Sequence, residues 1–368
     1  MHRNKGLHTS FCKQHGLSLI ELMIASSLGL FLIGGVYQTF QITRQSTRLL
    51  QAEAEIQENA RFSFSILSSV IQTAGYFGCK STQNQRIHSL LKVSTEQLNP
   101  ALSVQGWEAK NTHYGDTYQT QANSGISSTT IKHWIDSTGL HKDKGIKSKK
   151  YSDVLKIWYT KPYHANLTSV NIAGLSFSPI DLEEGNLIAI NDCQNIQLAQ
   201  VCACEDSACE GVDSQAKLQS CNNISDLKAI KISTAKVAIL EQAIFFVSKR
   251  GSNKKGYKKN MPALYVRYLG KGAKPTPKQE ILEGVESLQV EYGEDIDFNG
   301  SANAYVSADL VSDWKKIVSL RISLLLRSSS NNVVKAPQNL MFNGAKLKLS
   351  DADRYLRRVV STTIALRN

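Results

Sequence analysis

The stretch "GLSLIELMIA", Gly16 to Ala25, places one carboxylate, Glu21, near the start of the most apolar run in the chain. From Leu17 to Val36 no other residue is charged. A buried glutamate is rare in a soluble core unless it is paired. In a bilayer such a charge costs roughly 2.5–3.5 kcal/mol on insertion scales. The run itself has about the length, roughly 20 residues, that crosses a bilayer. The run calls for lipid around it, and Glu21 calls for a partner.

Upstream lies a basic stretch, MHRNKGLHTSFCKQHG, with Arg3, Lys5 and Lys13 and no acid. A secretory signal peptide has a shorter apolar core followed by a small-residue cleavage site. Here the small residue, Gly16, comes before the apolar run, so cleavage there removes the leader and leaves the hydrophobic segment on the mature chain. Basic residues ahead of a span hold the N-terminus in the cytoplasm, which puts the bulk of the chain outside. The composition, 42% hydrophobic and 20% charged, is that of a globular protein rather than a disordered one. The net charge of +12 permits binding to polyanions without specifying a fold.

Seven cysteines are present, and Cys12 lies in the leader. Six remain after processing: Cys79, Cys193, Cys202, Cys204, Cys209 and Cys221. An even set in an exported domain favours disulfides, with the connectivity open. The alternative is zinc at Cys-Ala-Cys-x4-Cys, but that spacing fits no common zinc finger and no histidine lies nearby.

Helical periodicity continues past the apolar run. Ile56, Ala60, Phe64, Leu67, Ile71 and Ala74 recur every three or four residues. The reading is one helix from Leu17 to about Ala74, stopped at Gly75. Its first half is apolar all round and suits lipid, while its second half is amphipathic and suits a globular partner. Gly29, Gly34 and Gly35 weaken it locally, which reads either as close packing of membrane helices or as local melting during assembly. Strand patterns follow at 153–159, 186–191, 243–248, 263–268, 286–292, 316–327 and 357–367. In the last three, apolar and polar residues alternate, as in an antiparallel sheet covered on one face. The expected fold class is α+β, a long N-terminal helix packed on an antiparallel β-sheet head. The expected division is a leader at 1–16, a transmembrane part at 17–40, an amphipathic part at 41–75 and a head at 76–368. Within the head, 81–152 reads as a polar insertion and 192–222 as a Cys-rich one.

Gly16, then Leu17-Ser18-Leu19-Ile20-Glu21-Leu22, then an apolar helix resembles a type IV prepilin. The family usually has phenylalanine where this chain has Leu17. "QENARFSFSILSSVIQTAGYFGC" (Gln57 to Cys79) and "LRRVVSTTIALRN" at the C-terminus resemble the PilW family of minor pilins. So do "ILEGVESLQVEYGEDIDFNG" and "VSLRISLLLRSS". The resemblance implies a single-pass protein of the bacterial inner membrane, with its N-terminus cytoplasmic and its head periplasmic. It implies cleavage by prepilin peptidase between Gly16 and Leu17, N-methylation of Leu17, and entry into a complex that primes pilus assembly at the tip. The implied partners are other minor and major pilins, the peptidase, the inner-membrane assembly machinery and the lipid bilayer. Glu21 would then pair with the N-terminal amine of a neighbouring subunit, which recovers much of its desolvation cost.

Three other readings stand beside this one. A type II secretion pseudopilin shares the leader and helix. A DNA-binding pilin for uptake would use the lysine-rich stretches from His141 and from Lys249, with Tyr151 and Tyr257 stacking on bases. An anchored periplasmic enzyme lacks support, because no Gly-x-Ser-x-Gly, His-Glu-x-x-His or phosphate-loop motif occurs. As for cofactors, Asp295, Asp297, Asn299 and Gly300 match the start of a calcium loop, with Asp309 placed to close it. The position twelve along from Asp295, where an EF-hand has glutamate, is Val306.

Overall fold

The computed structural model describes residues 18–78, 86–91, 100–109, 151–170, 174–177, 182–202, 215–217, 221–223, 225, 228–249, 261–269 and 276–366. The chain divides into two compact units, Met1–Gln51 and Ala52–Asn368.

Helix α1 (Leu19–Ile71) has an uninterrupted ladder. In the first unit its large apolar side chains, among them Leu22, Leu28, Phe31 and Ile33, are exposed. From Ala52 onward the character changes. Ala52, Ile56, Ala60, Ser63, Leu67 and Ile71 are buried at steps of three or four, so they share one face. Ser63, rather than the expected Phe64, completes that face; its hydroxyl donates to Asn59 O at 2.8 Å and is satisfied within the helix. Phe64 sits half-buried at the margin. Gly75, at φ +71°, ends the helical path.

Sixteen strands are found among the described residues. They are β1 (Arg86–Ser89), β2 (Val104–Trp107), β3 (Val154–Val170), β4 (Gly174–Phe177), β5 (Leu187–Asn191), β6 (Asn195–Gln200), β7 (Gln215–Lys217) and β8 (Lys236–Lys249). They continue with β9 (Pro262–Tyr268), β10 (Gln279–Glu283), β11 (Val285–Glu294), β12 (Ala304–Val306), β13 (Ile317–Arg327), β14 (Met341–Phe342), β15 (Ala345–Lys346) and β16 (Arg357–Ala365). Two main sheets result. The larger runs β1-β6-β5-β8-β3-β4-β7, with β2 on β3, β9 on β8 and β10 on β9. The smaller runs β12-β11-β13-β16, and β14 and β15 form a separate hairpin. The pairing is antiparallel throughout the described ladders except between β1 and β6, which run parallel.

The main core lies where α1 meets both sheets. Ile56, Leu67 and Ile71 pack with Leu155, Ile157, Phe245 and Val247 of the larger sheet and with Leu288, Leu320, Ile322 and Leu324 of the smaller. Each such side chain, fully buried, contributes roughly 1.5–3 kcal/mol. The amphipathic half of α1 thereby finds the sheet partner that its sequence requires.

Candidate functional site

The N-terminal segment is built around one helix start. Ser18 is the cap residue, since its carbonyl accepts the first helical bond from Leu22 N at 3.1 Å. Three residues on, Glu21 Oε2 accepts from Ser18 N at 3.0 Å. This is half of a capping box, with an acid placed in the first turn where the helix dipole favours it. Glu21 is thus held at the helix end by the backbone it follows, and its side chain stays exposed. Gly16 and Leu17, the residues of the expected cleavage and methylation, lie outside the described residues. Downstream, a β-carbon added at Gly29, Gly34 or Gly35 would meet nothing within 4 Å. Packing within this chain therefore does not require those glycines. Hydroxyls in the same segment fold back on the helix: Ser26 donates to Leu22 O, Thr39 to Gly35 O and Thr43 to Thr39 O. A polar side chain satisfied in this way is tolerated in lipid. Among the described residues, α1 is the helix long and apolar enough to cross a membrane.

Cys202 and Cys221 form a disulfide with Cα atoms 5.5 Å apart, which takes Cys202 out of any zinc set. Asn222, next to the bridge, donates to Gln200 O at 2.8 Å and accepts from Gln200 N at 2.9 Å, tying the bridge to the end of β6. Cys193 is also disulfide-bonded. It sits at φ +70° in the turn between β5 and β6, where its N–H donates to Asn191 Oδ1 at 2.7 Å. Cys79, Cys204 and Cys209 lie outside the described residues.

The Asp295–Asn303 loop closes on itself. The Asp295 carboxylate accepts from Asn299 N at 3.1 Å and Gly300 N at 2.8 Å. Asp297 accepts from Asn299 Nδ2 at 2.9 Å, and Asn299 Oδ1 accepts from Ser301 N at 2.8 Å. The Asn303 side chain, the largest influence, holds the Asp297 carboxyl below its ordinary value. Asp309 lies in a short 3-10 turn, accepting from Ser307 Oγ at 2.8 Å. The turn's own hydrogen bonds therefore engage Asp295, Asp297 and Asn299. No three His, Cys, Asp or Glu side chains are grouped to hold a metal among the described residues.

Of the lysine-rich stretches, only the bounding residues Tyr151 and Lys249 are described. Tyr151 is buried against Leu325, Phe342 and Leu347, so its ring is not available to stack on a base.

The sequence reading missed a buried ionic cluster in the smaller sheet. Glu286 on β11 accepts from Arg357 Nε at 2.7 Å and from Arg327 Nη1 at 3.0 Å. Arg357 also grips Asp353 through two bonds of 2.6 and 2.9 Å. The Arg327 guanidinium lies 4.2 Å from the centre of the Tyr355 ring. Burial works against the charge on Arg357, but Glu286 and Asp353 more than offset it and hold the group protonated. Two cations and two anions neutralise each other, so the cluster fastens β11, β13 and β16 together rather than opening a reactive site. Its signal in the sequence was faint, because arginines in strands ordinarily read as solvent-facing.

Residues 244–368, which contain this sheet and its ionic cluster, match the family described as Type IV Pilus-assembly protein W. Residues 12–37, which contain the capped helix start, match the prokaryotic N-terminal methylation motif. No curated protein and no solved structure matches the chain.

Proposed function

Because the chain is a type IV pilin-like protein of the PilW family, we propose that it is a minor pilin that primes pilus assembly and is incorporated near the tip. Prepilin peptidase cuts between Gly16 and Leu17 and methylates the new amine. The head lies in the periplasm, and the apolar half of α1 waits in the inner membrane until the subunit enters the fibre.

The observation that carries this reading is the position of Glu21. It stands in the first turn of an exposed apolar helix, inside the methylation motif. In lipid its single bond to Ser18 N leaves most of the carboxylate's acceptor capacity unused. A cationic amine from a neighbouring subunit would take up that capacity in low dielectric, where it is worth most. Catalysis has no part in the proposal: the family is structural, and the charges of Glu286, Asp353, Arg327 and Arg357 are spent on one another.

The test separates processing from assembly. Gly16→Val puts bulk where the peptidase must approach the backbone, so the precursor should persist on an immunoblot and stay out of pili. Glu21→Ala should still be inserted and cut, yet co-purify poorly with other pilins and lower the pilus count. Normal assembly of Glu21→Ala would refute the pairing role.

A further inference from the structure

The smaller sheet ends on β16, and that edge is open. The β13–β16 ladder runs without a break from Ser319↔Ala365 to Arg327↔Arg357. It is flanked by Leu366 N donating to Val318 O at 2.9 Å and Ser328 N donating to Leu356 O at 2.8 Å. Pairing in an antiparallel ladder repeats every two residues, so the even-numbered residues of β16 bond to β13. The odd-numbered ones, Arg357, Val359, Ser361, Thr363 and Ala365, direct their N–H and C=O groups away from it. Arg357 is covered by a side chain that stands in for a strand: Gln338 Oε1 accepts its N–H at 2.6 Å, and Gln338 Nε2 donates to its C=O at 3.4 Å. The next four have no main-chain partner on that side among the described residues. Ser361, Thr363 and Ala365 are exposed as well.

Proteins guard such edges with charge, proline, bulges or short length. The opposite edge of this sheet, β12, is three residues long. β16 has none of these guards from Val359 to Leu366: VVSTTIAL contains no charge, proline or glycine, and its ladder shows no register shift. Charges flank the stretch in the sequence at Arg358 and Arg367, and Arg358 is matched by Glu53 of α1 at 2.8 Å. What the edge offers is main chain over roughly 20 Å, at about 3.4 Å per residue, bordered by small hydroxyl and aliphatic side chains.

We propose that the β16 edge receives an extended, uncharged segment of another pilus subunit, which continues the sheet by main-chain hydrogen bonds to Val359, Ser361, Thr363 and Ala365. This rests on the reading that the chain works among pilus components. A second copy fits less well. Side chains alone would permit it, with Thr362 facing its own equivalent and Val360 facing Ile364. But two antiparallel copies of one edge are related by a dyad normal to the sheet. That dyad sets the Ala52–Ile71 parts of the two copies, which pack on the sheet, antiparallel to each other, whereas subunits of one pilus enter the fibre in a single direction.

Thr363→Pro tests the proposal at little expense to the isolated fold, because the N–H it removes points away from β13 and edge strands tolerate proline. Ser361→Lys keeps every N–H and sets a charge on the edge. Full-length parent and variants are purified in detergent from membranes that also contain the other pilus subunits, and the retained subunits are quantified by mass spectrometry. Each variant should retain at least tenfold less of one pilus subunit at an unchanged melting temperature. Amides of Val359, Ser361, Thr363 and Ala365 should exchange slowly in the parent complex and fast in the purified chain alone. Equal retention by parent and both variants, or fast exchange of those amides in the complex, overturns the proposal. So does a photoreactive residue in place of Thr363 that captures only a second copy of this chain. If Glu21→Ala impairs assembly while both β16 variants retain their partners, strand addition falls and the proposed function stands. A parent that retains no pilus subunit removes both.

Discussion

Glu286→Ala cuts the anion out of the centre of the ionic cluster and leaves two guanidiniums facing one aspartate. The wild-type carboxylate accepts from Arg357 Nε at 2.7 Å, Arg357 Nη2 at 3.2 Å and Arg327 Nη1 at 3.0 Å. Side-chain exposure is 2% for Glu286, 1% for Arg357 and 9% for Arg327, so water cannot replace it. Removing one partner of a buried pair costs about 3–5 kcal/mol, because the remaining charge is stranded. That is a large part of a typical stability of roughly 5–15 kcal/mol. At about 2 °C per kcal/mol for a large domain, melting should fall by roughly 6–10 °C. Glu286→Gln keeps the shape and one acceptor oxygen, so it should lose less. The assay is thermal melting of the full-length protein in detergent, parent against both variants. A loss for Glu286→Ala below about 1 kcal/mol, the level of an exposed pair, would show that the cluster is not holding the sheet.

Three further outcomes follow from the same packing. Burial pushes the Lys156 amine down to about 8, so the unfolded chain holds that proton more tightly. The penalty is complete below pH 8 and fades as pH rises toward 10.4; Lys156→Met should gain up to about 3 kcal/mol at pH 7 and little near pH 10.5 in denaturant titrations. Opening the Cys202–Cys221 bridge by a double serine substitution releases a loop with a sequence separation of 19, and urea unfolding should register a loss of about 3 kcal/mol. Gly106→Ala would place a β-carbon 1.6 Å from the Tyr292 hydroxyl, on a ring that is fully buried against Trp314; the melting temperature should drop by more than it does for Glu286→Ala.

The sequence was most informative where one periodicity met one environment. Val318, Leu320, Ile322, Leu324 and Leu326 alternate with Ser319, Arg321, Ser323 and Arg327, broken only by Leu325, and all five are buried on one face of β13. The seven strands expected from such runs are all present. Strands β3 and β8 extend well beyond their apolar centres, to Val170 and from Lys236. β3 runs on past the expected end at Tyr159 through a register shift between Thr160 and His164. β1, β2, β7 and β12 have only three or four residues, too few for a pattern to emerge. The parallel pairing of β1 with β6 joins segments about a hundred residues apart and leaves no local trace. The N-terminal methylation motif, matched by residues 12–37, was legible because it is local. The ionic cluster and the open edge of β16 were not, since both depend on which strands become neighbours.

The most direct test of the central claim is the intact mass of the chain purified from membranes that contain prepilin peptidase. A mature prepilin begins at Leu17, bears one methyl group on its new amine and has lost the leader through Gly16. A mass corresponding to a start at Met1, or to a cut at any other position, would contradict the assignment.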